Sequence, residues 1–174
     1  MRDLIGAIEG EFRRYRALGE GTMRQLNGGQ LCTRVSAHSN SVATIVWHVS
    51  GNLESRFTDF LTSDGEKPWR EREDEFAVRT VAKHEVLEKW ARGWEVLMGA
   101  LATLTDSDLG STVSIRGVDF TVAEALERSL GHTAYHVGQI TFLGKMLAGD
   151  GWTYLSIPPG GTTTYNTNPT REKF

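Results

Sequence analysis

TVAEALERSLGHTAYHVGQITFLGKMLAG, residues 121–149, decides how the rest of the chain is to be read. Thr121 and Glu124 make a T-x-x-E capping box ahead of an apolar repeat, and Gly149 stands where a helix would stop. At roughly 100° per residue, Val122, Leu126, Val137, Ile140, Leu143 and Leu147 fall within roughly 60° of one line. The spacing predicts one long helix over 122–148 with a single buried stripe. His132 and His136 fall roughly 40° to 80° to one side of that line, so they stack one turn apart on the edge of the stripe. Arg128 and Gln139 lie just beyond them.

Three earlier segments carry the same period. The first covers about 2–26, with Leu4, Ile8, Phe12, Tyr15, Leu18 and Leu26 on one stripe. The second covers about 40–62, with Val42, Ile45, Val46, Val49, Leu53, Phe57 and Phe60 apolar. Ser39 or Asn40 can cap its start and Asp64-Gly65 can end it. The third covers about 80–104, with Leu87, Trp90, Trp94, Leu97, Met98 and Leu101 apolar. The expected fold class is all-α, a four-helix bundle.

The connections refine this. Residues 63–79 (SDGEKPWREREDEFAVR) read as a long polar loop between the second and third helices, long enough to cross the bundle. Residues 112–121 (TVSIRGVDFT) alternate apolar and polar around Arg116-Gly117, which reads as a short β-hairpin or an extended pair. From Ser156 onward the chain is rich in Pro, Gly, Thr and Asn and has no periodicity. The expected division is a bundle domain over 1–155 and an irregular C-terminal tail over 156–174.

Bulk properties bound the function. A chain of 174 residues suits one well-filled core. Apolar residues are 39% and charged residues 24%, the balance of a soluble globular domain. A formal net charge of -3, with Lys and Arg dispersed, argues against nucleic acid. The one cysteine, Cys32, cannot form an internal disulfide and reads as a small apolar filler. The first residues carry no signal-peptide pattern, and no apolar run approaches the roughly 18 residues a membrane span needs. A cytoplasmic protein without a membrane partner is expected.

The second helix also has a polar edge. His48, Asn52, Arg56 and Asp59 recur at i, i+4, i+8 and i+11, with His48 roughly 120° from the apolar centre. Arg56 lies nearest the core and needs a partner, with Asp59 or a residue of another helix in position. Two histidines at i, i+4 can hold one metal ion from a single helical face, and a third imidazole from a facing helix completes a three-histidine set with a position left open. His48 is the best placed third ligand. On its own this spacing is weak evidence, since two ordinary half-buried histidines show it more often. His38 reads as a surface or capping residue, His84 as a partly buried histidine or a fourth ligand, Trp90 and Trp94 as core, and REREDEF at 70–76 as a solvated loop face. Ferritin-like di-iron sites need Glu-x-x-His pairs, which are absent. Phosphate-loop, dinucleotide and nucleophile-elbow motifs are absent too.

The stretch NSVATIVWHVSGNLESRFTDFLTSDGEKPWR at 40–70, taken with GHTAYHVGQITFLGKML at 131–147, resembles the DinB/YfiT-like metalloenzyme superfamily, and most closely a bacterial branch of it. The resemblance extends through the loop GEKPW and the tail segment WTYLSIPPG. It implies a four-helix bundle holding a divalent ion, zinc or nickel foremost, on three histidines: here His48, His132 and His136. It also implies similarity to transferases and isomerases that use low-molecular-weight thiols, and a homodimer.

Three neutral imidazoles leave the whole charge of a divalent ion on its remaining ligand, which acidifies a bound water or, more readily, a thiol. The leading expectation is therefore a metal-dependent transferase that activates a small thiol for attack on an electrophilic small-molecule substrate. The alternatives are a metal-dependent hydrolase and a non-catalytic bundle that binds a small molecule or protein. Asn52, Arg56 and Asp59 are the pocket candidates. Asp59 and Glu54 are general-base candidates by position alone.

Overall fold

Capping chemistry sets where the long helices begin. The computed structural model describes residues 1–169, which form seven α-helices and one two-stranded sheet. In chain order the helices are α1 (Asp3–Arg24), α2 (Gly28–Cys32), α3 (Val42–Phe57), α4 (Arg72–Glu75), α5 (Lys83–Thr103), α6 (Val122–Ala148) and α7 (Thr162–Thr167). At α6, Thr121 Oγ1 accepts the Glu124 N–H and the Glu124 carboxylate accepts the Thr121 N–H at 2.7 Å. Gly149, at φ 55, ends the helix. At α3 the cap is Ser41, whose Oγ accepts the Thr44 N–H at 3.1 Å; it stands just after the expected Ser39 or Asn40. The first turn of α1 is capped in trans. Asp106 accepts the N–H groups of Asp3, Leu4 and Ile5 at 2.8, 3.2 and 3.0 Å. That docking buries Ile5 and leaves Leu4, expected on the inner stripe, 58% exposed.

The end of α3 differs from the sequence reading. The helix stops at Phe57, with Thr58 extended and Asp59 at φ 49. Residues 58–63 form a turn, so Asp59 is not on the α3 polar seam and lies exposed.

The sheet is the expected hairpin. β1 (Thr112–Ile115) pairs antiparallel with β2 (Val118–Thr121) in the register Thr112↔Thr121 to Ile115↔Val118. Arg116 (φ 58) and Gly117 (φ 71) make the two-residue turn, both in the left-handed region that matches strand twist. Asp64 anchors that turn, accepting the N–H groups of Arg116 and Gly117 at 2.8 and 2.7 Å and the Ser114 hydroxyl at 2.9 Å.

α3 packs most closely on α5, and α1 on α6. Gly93 makes the first approach possible: a Cβ there would lie 2.7 Å from Ser50 Cα. Phe12, Leu53, Trp90, Trp94, Leu97, Leu126 and Val137 fill the core, as their periodicity requires. Residues 63–79 are more structured than a solvated loop. They contain α4 and turn Arg70 and Glu75 inward. After α6 the chain lies back on α1 through paired hydrogen bonds between Gln25 and the Thr153 backbone. The tail expected to be irregular carries the short helix α7; residues 170–174 of that tail lie outside the described residues. No described helix is long and apolar enough to cross a membrane.

Candidate metal centre

The three histidines of the two polar edges meet where α3 faces α6. His48 comes from α3; His132 and His136 come from successive turns of α6. Their ring centroids are 4.6 to 5.1 Å apart, and the rings stand nearly perpendicular to one another. One nitrogen from each lies within 4.8 Å of the other two. His48 and His136 are buried and His132 is half buried.

Hydrogen bonds fix which nitrogen each ring presents. His48 Nδ1 lies 2.9 Å from Glu75 Oε2. A carboxylate only accepts, so Nδ1 carries the proton and Nε2 of the neutral ring keeps a lone pair. His136 Nδ1 lies 2.9 Å from Gln139 Oε1, which assigns the same tautomer. His48 Nε2 then sits 3.1 Å from His132 Nε2, a spacing that needs a proton or a cation between them. Two nitrogens on one zinc ion, each at about 2.0 Å and the tetrahedral angle, stand about 3.3 Å apart. The donor set therefore fits a divalent ion: three imidazoles, two of them preset to expose Nε2.

Electrostatics disfavour the protonated form of the two α6 rings. Burial, then the charges of His136, His48, Arg70 and Arg56, push the His132 pKa down to about 3. Burial also lowers His136, against the opposing hydrogen bond to Gln139. For Glu75 burial alone would raise the pKa. Hydrogen bonds from His48 and Arg70 outweigh it and hold the carboxyl below its ordinary value. Glu75 is in turn gripped by the Arg70 fork, Nε to Oε1 at 2.8 Å and Nη2 to Oε2 at 3.0 Å. Gly51 leaves room for it, since a Cβ there would lie 2.3 Å from Glu75 Oε1.

A cavity of about 290 Å³ opens beside His48 and His132. Asn52 and Arg56 line it, and Phe57 and Phe60 give it an apolar wall. Asp59 does not line it. The carboxylate partner of Arg56 is Glu66, at 3.1 Å, rather than Asp59. Glu54 is held by Lys89 at 2.8 Å, away from the cavity. His38 is exposed, as expected. His84 is exposed rather than partly buried and stays apart from the histidine cluster. Cys32 is a half-buried free cysteine against the Val81 backbone.

Sequence reasoning missed Glu75 and Arg70. Both sit in the mixed-charge run REREDEF, where Glu71, Arg72, Glu73 and Asp74 are exposed as predicted. Nothing in that run distinguishes the two residues that turn inward. Glu75 turns inward because His48 offers it an N–H, and Arg70 follows to neutralise it.

Compared with known proteins, the chain matches the family model described as "Protein of unknown function (DUF1572)" over residues 2–161. No curated protein and no solved structure matches it.

Proposed function

The chain belongs to the DUF1572 family, one of the DinB-like families, and from that premise we propose that it is a divalent-metal-dependent enzyme. The ion, zinc or nickel, is held by His48, His132 and His136. The reaction is transfer of a low-molecular-weight thiol to an electrophilic small molecule. In this reading α1, α3, α5 and α6 are the four helices of a DinB-type bundle spanning 1–155, and the protein is a cytoplasmic homodimer.

The observation that carries the proposal is the convergence of three histidines beside a cavity, with burial disfavouring the charged forms of His132 and His136. When bound, the ion supplies the positive charge that ionises a coordinating thiol, whose ordinary pKa of about 8.5 is far closer to neutrality than the roughly 15.7 of water. Among the described residues no carboxylate lines the cavity, which supports the thiol reading over the hydrolytic one. Glu75 and Gln139 orient His48 and His136. Asn52 and Arg56 present polar groups to the cavity, and Phe57 and Phe60 exclude water from one wall. A cavity of about 290 Å³ suits a small substrate.

The test is a thiol-and-electrophile assay with monochlorobimane as acceptor. The metal-loaded parent consumes a small thiol together with the acceptor, and His132→Ala does not. Turnover of simple esters without thiol would replace this reading with the hydrolytic one. Neither activity in fully metallated protein would leave a binding module.

A further inference from the structure

Arginine dominates the wall of the cavity beside the histidines. Arg56, Arg70, Arg72, Arg116 and Arg128 all line it, and no Asp or Glu among the described residues does. Their neutralisation is incomplete. Glu66 is shared between Arg56 at 3.1 Å, Arg116 at 3.0 Å and Arg70 at 3.8 Å. Arg70 spends its Nε and Nη2 on Glu75, and Arg72 reaches the exposed Glu73. Arg128 pairs with no carboxylate among the described residues; its guanidinium lies over the Phe120 ring, 5.9 Å from the centroid. Five guanidinium groups thus face three carboxylates, one of them turned to solvent. The Arg56 pKa is lowered by burial first, with the Arg70 and Arg116 charges acting in the same direction.

Besides His132 Nδ1, two donors in this wall have no acceptor among the described residues. Arg70 is 2% exposed at its side chain, yet its Nη1 makes no hydrogen bond. Ser129 is 7% exposed, and its Oγ makes none either. Other buried donors, Trp90 Nε1 and Trp94 Nε1 among them, also lack an acceptor but belong to core residues; the Arg70 and Ser129 donors stand on an arginine-lined cavity wall, where acceptor oxygens can reach them. Guanidinium and hydroxyl groups together are the donors that recognise carboxylate and phosphate oxygens.

We propose that this cavity is an oxyanion receptor, in which Arg70 Nη1, Ser129 Oγ and Arg128 hold the carboxylate or phosphate group of a small-molecule substrate beside the three histidines. That the bound molecule is the substrate rests on the enzymatic reading above. The receptor itself rests on the cavity wall alone. A volume of about 290 Å³ admits one such group with a few attached carbons.

The test is an NMR titration of the full-length, chelator-treated chain with inorganic phosphate and, separately, with acetate. Sodium chloride at matched ionic strength is the control, and zinc binding is measured on the same preparation. The expected result is saturable shifts at Ser129, Ile115 and the Arg70 side chain with at least one of the two anions. Tighter phosphate or tighter acetate binding identifies which oxyanion the substrate carries. Arg128→Gln and Ser129→Ala each weaken binding about tenfold, the effect of losing one charge-assisted hydrogen bond. Ser129→Ala removes no hydrogen bond from the free protein, so its fold is preserved. Shifts that chloride reproduces, or affinities that both variants leave unchanged, overturn the receptor. Zinc binding without oxyanion binding overturns the receptor and leaves the metal centre standing. Oxyanion binding without zinc binding does the reverse.

Discussion

Glu75 Oε2 lies 2.9 Å from His48 Nδ1, with both side chains buried. One carboxylate, itself clamped by Arg70, thereby decides which nitrogen of His48 faces the other two histidines. In a metal centre such an orienting partner contributes to affinity although it never touches the ion.

Glu75→Gln is therefore expected to weaken zinc affinity by about 10- to 100-fold, because the amide removes the charge that favours the Nδ1–H tautomer. Gly51→Ala should act in the same direction by pushing the carboxylate away, since the new Cβ would lie 2.3 Å from Glu75 Oε1. Competition with a chromophoric chelator measures both. Parent-like affinity in both variants would remove Glu75 from the account.

Asp64 carries the acid sensitivity of the hairpin. The N–H groups of Glu66, Gly117 and Arg116 hold its carboxyl well below the ordinary carboxylate range, against a small effect of burial. The folded-state pKa is depressed, so the stabilisation is fully present above the unfolded value of about 3.9 and is lost as pH falls below it. Denaturant midpoints measured from pH 6 downward should fall more steeply for the parent than for Asp64→Asn. The variant should be the less stable of the two at pH 6, with the difference narrowing in acid.

Gly93→Ala tests the α3–α5 crossing. The added methyl would stand 2.7 Å from Ser50 Cα, a backbone atom that cannot rotate aside. Overpacking of this kind costs about 1–3 kcal/mol. The melting temperature should drop, while His48, two residues before Ser50 on α3, should shift enough to weaken metal binding as well. Gly99→Ala on the same helix meets nothing within 4 Å and serves as the control.

Much of the fold is legible in the sequence. The α6 stripe, its capping box and the Arg116-Gly117 turn are local signals, and each element formed where its residues direct. Helical angle puts His48, His132 and His136 on polar edges and the resemblance implies that they share a site; that α3 faces α6 is what brings them together. What was not legible depends on partners distant in sequence. Leu4 and Ile5 are neighbours, and Asp106, about a hundred residues away, decides which of them is buried. The end of α3 at Phe57 is set by Thr58 and Asp59, whose left-handed backbone no apolar period reveals. Arg56 needs a carboxylate, and on the sequence Asp59 or a residue of another helix could supply it. Once the helix ends early, Glu66 takes that place.

The most direct test of the metal centre is elemental analysis of the purified parent chain and of its His48→Ala and His136→Ala variants. The account predicts about one divalent ion per parent chain and none in either variant, with the helical circular-dichroism signal preserved. A parent that takes up no ion after incubation with zinc or nickel, or variants that keep their full metal content, would contradict it.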